Sequence, residues 1–143
     1  MGEIRDQDAS QGHAANYLER GLRDKKDLGS WRWIYLQFLK SMMPASVLEA
    51  GAGNPLFLQS VRSDRRAAID LGDRFENDFK SAGIEYYDVD LDRDRIDRIG
   101  RFQVVICSDV FEHLANPAFA LQSLVQVMDR APSCLRMFPT SFE

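Results

Sequence analysis

Ser46-Val47-Leu48-Glu49-Ala50-Gly51-Ala52-Gly53-Asn54-Pro55 is the stretch whose reading decides the fold. Ser46 to Ala50 is a short apolar run of the kind that forms an inner strand. It ends in an acid and two glycines, residues that let a backbone turn sharply. Asn54 followed by Pro55 then has the chemistry of a helix start, a side-chain acceptor before a proline at the first helical position, and this helix is expected to reach Val61. A strand that turns through glycine directly into a helix begins a strand-helix unit.

The same texture continues downstream. Further strands are expected at Ala67 to Asp70, Ile84 to Tyr87, Gln103 to Cys107 and Cys134 to Phe138. Between them, Asp73 opens a helix carrying Phe75 and Phe79, and Asn116 with Pro117 opens one carrying Leu121, Leu124, Val125 and Met128. Strands alternating with helices predict a doubly wound, mostly parallel α/β sheet covered on both faces. The Asp92 to Arg98 segment alternates acids and arginines, and because the signs cancel locally it reads as a solvated turn rather than a phosphate site.

Upstream, Ser30 reads as the cap of an amphipathic helix, since Trp31, Ile34, Tyr35, Phe38, Leu39 and Met42 recur at helical spacing until Pro44. The stripe is expected to pack on the sheet, with a lid over a ligand as the alternative. Ala14, Tyr17, Leu18 and Leu22 suggest another helix within His13 to Asp27, and residues 1–12 read as a mobile tail. One domain is expected over 13–143, with N-terminal helices in 13–43 and an α/β core in 46–139.

With 143 residues, 45% of them apolar, the chain can bury a core of its own. Its net charge of -4 provides no positive field to gather nucleic acid or an anionic membrane, so a small molecule or another protein is the expected partner. Cys107 and Cys134 both fall in apolar strands and read as small hydrophobes rather than a disulfide framework. Neither a secretion signal nor an apolar run of membrane-spanning length is present, which points to a cytoplasmic location. No metal is expected.

In an open parallel sheet, ligands bind beyond the carboxyl ends of the strands. A dinucleotide loop wants glycine at its first, third and sixth positions, but counting from Gly51 the sixth residue is Leu56. Glu49 would repel a pyrophosphate and suits a ligand carrying an ammonium or sulfonium group. Both features disfavour an NAD-dependent oxidoreductase. Asp70 lies nineteen residues after Gly51 (70 minus 51), the distance expected of an acid that accepts hydrogen bonds from ribose hydroxyls, with a simple turn or cap role as the alternative. Leu71, next to it, is placed to cover a face of an adenine.

The Glu49–Asn54 loop, Asp70, Asp90-Leu91 after the third strand, and Phe102-Gln103-Val104-Val105-Ile106-Cys107-Ser108-Asp109-Val110-Phe111-Glu112-His113-Leu114 occur in that order. Together they resemble the class I S-adenosylmethionine-dependent methyltransferases. The resemblance is to the branch with an EHL or EHV sequence after the fourth strand, which includes ubiquinone-type O-methyltransferases and methyltransferases of sugars and lipids. It spans Val47 to Pro139. It implies a Rossmann-like sheet of order 3-2-1-4-5, S-adenosyl-L-methionine as cofactor, and methyl transfer to an oxygen or nitrogen of a small-molecule acceptor. Glu49, Ala50, Gly51 and Gly53 would hold the methionine portion, Asp70 and Leu71 the ribose and adenine, and Asp90 with the Leu91 backbone the adenine edge, where Asp88 is a rival. Ser108 and Asp109 would border methionine and acceptor. His113 is the candidate general base beside Asp109, with an ordinary helix-start residue as the alternative.

Two departures stand out. Pro55 occupies the place of a third loop glycine, which a helix start tolerates. The fifth strand, Cys134 to Pro139, is followed by only four residues, so the family's final helix and antiparallel strand pair are lacking. A truncated, non-catalytic cofactor-binding or interaction module is therefore the alternative function. The fifth-strand edge is expected to invite self-association or a covering partner.

Overall fold

The computed structural model describes residues 30–130 and 134–138, and the expected tail and the helix within 13–27 lie outside them. Five parallel strands, β1 (Ser46–Ala50), β2 (Arg65–Asp70), β3 (Glu85–Asp88), β4 (Val104–Ser108) and β5 (Cys134–Phe138), form one sheet in the order β3-β2-β1-β4-β5. This is the doubly wound order expected. β1 lies at the centre because its side chains are buried on both faces: Val47, Leu48 and Ala50 are each at most 1% exposed.

Strand periodicity sorts the core into two layers. Leu48 and Ala50 of β1, Ala67 and Ile69 of β2, and Val105 and Cys107 of β4 share one cluster with Ala120 and Leu124 of α4 (Pro117–Gln126). Val47, Ala68, Val104 and Ile106 face the other way, onto Tyr35, Leu36 and Leu39 of α1 (Ser30–Met42). Phe57 and Leu58 of α2 (Leu56–Gln59) and Phe79 of α3 (Glu76–Ser81) complete that second layer. By the same alternation Glu49, Asp70 and Ser108 lie on the α1 side of the sheet.

Several local expectations need correction. The buried face of α1 is Tyr35, Leu36 and Leu39, whereas Ile34 is 48% exposed and Met42 37%. A stripe defined by apolar character alone was rotated toward solvent, because Arg32 and Leu36 share the inner side. Helix α1 ends where Met43 turns left-handed at φ 46°, just before Pro44. α2 stops at Gln59 rather than Val61. α3 begins at Glu76; the backbone carbonyl of Asp73, not its side chain, accepts from the Glu76 amide. α4 starts as expected, with the Asn116 side chain accepting from the Phe119 amide at 3.2 Å and Pro117 opening the first turn.

The alternating Asp/Arg segment is more than a solvated turn. The Asp92 carboxylate accepts from the Ala115 and Asn116 amides at 3.1 and 2.7 Å, tying the β3–β4 connection to the start of α4. At the opposite end of the sheet, the Arg65 guanidinium donates to both Glu85 oxygens at 2.9 and 2.7 Å and to the Ile99 carbonyl at 2.8 Å. It also lies 4.2 Å over the centre of the Phe102 ring. Among the described residues, no helix is long and apolar enough to cross a membrane.

Candidate functional site

The carboxyl edge of the sheet collects the ends of β1, β2 and β4 with the loops that follow them. Gly51 and Gly53 both adopt left-handed backbone, at φ 70° and 63°, where a side chain is strained. They differ in surroundings: a Cβ at Gly51 would overlap the Val110 side chain, whereas one at Gly53 would meet open space. The first glycine is thus required by the close approach of the β4 loop. The second presents bare backbone to open space.

Asp70 fixes that backbone. One of its carboxylate oxygens accepts from the Gly53 amide and the other from the Leu71 amide, the latter at 2.8 Å. Burial pushes the Asp70 carboxyl upward, the two amides counter the shift, and neighbouring Asp88 adds to it. Each oxygen keeps a second lone pair for another donor. Leu71, 61% exposed, follows it just beyond the end of β2.

Glu49 is the most unusual group at the edge. It is 4% exposed, its Oε2 has no hydrogen-bond partner among the described residues, and its Oε1 lies 3.8 Å from Arg32 Nη2. That separation is an ion pair but too long for a hydrogen bond. Burial pushes the carboxyl up to about 8; Arg32 opposes the shift and Asp70 reinforces it.

Arg32 and Tyr35, one turn apart on the inner face of α1, were missed in the sequence because the stripe there reads as apolar packing. Arg32 also donates to the Ala52 carbonyl at 3.4 Å, and the Tyr35 hydroxyl accepts from Ser108 Oγ at 3.2 Å. A signal was present: an arginine three residues before a tyrosine on the side of the helix that turns inward. α1 therefore both packs on the sheet and contributes polar groups to the edge.

Other expected site residues are placed less directly. Ala50 is fully packed beneath the loop, and Leu91 is a core side chain at 7% exposure, so neither offers more than backbone. Asp90 is engaged in its own turn: Oδ1 accepts from the Asp92 amide at 2.9 Å and Oδ2 lies 3.6 Å from Arg93 Nε. Its rival Asp88 is exposed and accepts from the Gly72 amide at 2.6 Å. Asp109 is exposed, with a left-handed backbone at φ 57°. Burial of its carboxyl and the charge of Glu112 raise its pKa, while Arg32 and His113 lower it. His113 is exposed in a 3-10 turn, Phe111–His113, whose amide donates to the Val110 carbonyl at 2.9 Å. Burial raises the Cys107 thiol to about 12, which leaves it inert as a nucleophile. A shallow depression between Arg101, Val125 and Asp129 lies at the amino end of the sheet, away from all these groups.

Comparison with solved structures identifies the architecture. The N-methyltransferase NodS from Bradyrhizobium japonicum WM9, in complex with S-adenosyl-L-homocysteine, superimposes with a TM-score of 0.64 at 17% identity, over 80% of this chain and 67% of that one. The chain carries the class I methyltransferase fold. CalS10, an S-adenosylmethionine-bound amino pentose methyltransferase from Micromonospora echinaspora, matches with a TM-score of 0.60 at 15% identity, over 90% of this chain and 55% of that one. An S-adenosylmethionine-dependent methyltransferase from Clostridium acetobutylicum gives 0.58 at 14% identity, over 84% and 54%. This instance of the methyltransferase fold thus spans between half and two thirds of the length of these structures. No family model and no curated protein matches the sequence.

Proposed function

We propose that the chain binds S-adenosyl-L-methionine at the carboxyl edge of its sheet and directs the methyl group to an oxygen or nitrogen of a small-molecule acceptor. One observation carries the reading: a buried carboxyl with a bare oxygen, Glu49, adjoins a glycine loop whose backbone is held open by Asp70. An ammonium supplies the donors that Oε2 lacks, and ribose hydroxyls supply donors for the spare lone pairs of Asp70. Arg32, beside Glu49, supplies a cation for the carboxylate that accompanies such an ammonium. The fold's neighbours, solved with S-adenosylmethionine or S-adenosylhomocysteine, support the choice of ligand.

When bound, the cofactor supplies an electrophilic methyl on a sulfonium. The protein's share is alignment of the two reactants. Glu49, Ala50, Gly51 and Gly53 hold the amino-acid end, Leu71 covers the adenine, and the Leu91 backbone reads its edge with Asp90, whose carboxylate is shared with its own turn. Ser108, held by Tyr35, and Asp109 border the acceptor, and the exposed His113 takes a proton where the nucleophile has one to lose. A cytoplasmic location and one domain over 13–143 belong to the same proposal. So does pairing of the β5 edge with a second copy or a partner, since β5 pairs with β4 alone among the described residues.

Calorimetric titration tests the reading: S-adenosylhomocysteine binds, NAD does not, and Asp70→Ala weakens binding by about tenfold or more. NAD binding in place of the homocysteine ligand refutes it. Transfer of labelled methyl to candidate acceptors then separates an enzyme from a binding module.

A further inference from the structure

A buried carboxylate is costly to ionise unless donors and a close cation surround it. Glu49 has neither in full. From α1, Arg32 reaches only to 3.8 Å and is shared with the Ala52 carbonyl and the field of Asp109; from the end of β2, Asp70 adds negative charge; from β4, the register neighbour is the buried, apolar Ile106, while the un-ionised Cys107 thiol lies on the opposite face. No backbone or side-chain donor among the described residues reaches Oε2.

We propose that Glu49 is protonated in the unliganded chain and loses its proton to solvent when the ammonium of an adenosyl amino-acid ligand docks on Oε2. Binding of that ligand is thereby coupled to release of one proton, and binding of an adenosyl ligand without the ammonium is not. The inference rests on the adenosyl reading above and adds to it a proton switch that selects for the charged amino-acid end. In the exchange, the Glu49 O–H bond breaks, its proton passes to buffer, and the intact ammonium donates an N–H to the oxygen left behind. Arg32 need not move for this to happen, because the incoming cation brings the neutralising charge.

Burial that pushes this carboxyl up to about 8 sets the size of the effect. The competent, ionised fraction is then roughly one half at pH 8 and roughly one hundredth at pH 6, and apparent affinity scales with that fraction.

The test is calorimetric titration of the full chain with S-adenosylhomocysteine between pH 6 and 8, in two buffers of different ionisation enthalpy. 5′-Methylthioadenosine, which has the adenosyl group but no ammonium, serves as the control. The expected result is about a fifty-fold rise in S-adenosylhomocysteine affinity across the range, with close to one proton released per ligand at pH 7. Methylthioadenosine affinity stays flat, and Glu49→Gln, an isosteric change that cannot titrate, abolishes both the slope and the proton release. If S-adenosylhomocysteine binds with flat affinity and no proton release, the coupling is wrong while the adenosyl site stands. An equal slope for methylthioadenosine moves the titrating group elsewhere and also overturns the coupling. If neither ligand binds, both the coupling and the adenosyl reading fall.

Discussion

Alanine at Gly51 and alanine at Gly53 impose the same backbone demand on two residues of one loop, and the structure makes their costs different. Both positions are left-handed, so each alanine costs roughly 1–2 kcal/mol in conformation alone. At Gly53 the added methyl meets open space, and nothing further is expected. At Gly51 it overlaps Val110, and driving a methyl into packed surroundings adds roughly 1–3 kcal/mol. Gly51→Ala is therefore expected to destabilise by about 2–5 kcal/mol. Urea unfolding followed by far-UV circular dichroism, at constant m-value, measures both. The decisive arm is a double-mutant cycle with Val110→Ala, which removes the overlapping methyl: Gly51→Ala should cost at least about 1 kcal/mol less in that background. Equal costs at the two glycines, or purely additive costs in the cycle, would refute the close approach of the β1 and β4 loops.

Other outcomes follow from the same geometry. Because the Glu49 pKa is raised on folding, the folded state binds a proton the unfolded chain has lost; stability is full below pH 4.5 for this group and declines as pH rises to about 8. The loss is at most on the order of 5 kcal/mol, so the unliganded chain should melt lower at pH 8.5 than at pH 6, and Glu49→Gln should flatten that difference. Asn116→Ala removes the acceptor for the Phe119 amide and should cost about 1 kcal/mol in urea unfolding. Arg65→Met leaves the Ile99 carbonyl without its donor and Glu85 with only the Tyr87 hydroxyl; since both charged side chains are about a third or more exposed, a loss near 1 kcal/mol is expected, and one above about 3 kcal/mol would show that the cluster is not screened as described.

The fold was largely readable from the chain. Strand positions came from apolar runs bounded by glycine and acid, and helix starts from Asn-Pro pairs, because those signals act within a few residues. What escaped notice depends on packing. Arg32 and Tyr35 became site residues only through the rotation of α1 on the sheet, which set Leu36 inside and Ile34 outside. An apolar stripe does not fix that angle when aromatic residues lie on several sides of a helix. Asp92 looked like one of many cancelling charges, yet its two amide partners come from more than twenty residues away. Glu49 and Asp70 were identifiable from spacing, but the staple between Asp70 and the Gly53 amide, and the bare Glu49 oxygen, required three dimensions.

Side-chain alternation puts a hard limit on how this edge can vary. Sliding β1 by one residue against β2 and β4 exchanges Glu49 for a neighbour and drives its carboxyl into the layer beneath α4, among Ile69, Phe102 and Leu124. A single-residue insertion or deletion between Ser46 and Gly51 is thus far more damaging than most substitutions there, while additions of the same size in the exposed turn at Arg62–Asp64 should pass with little effect.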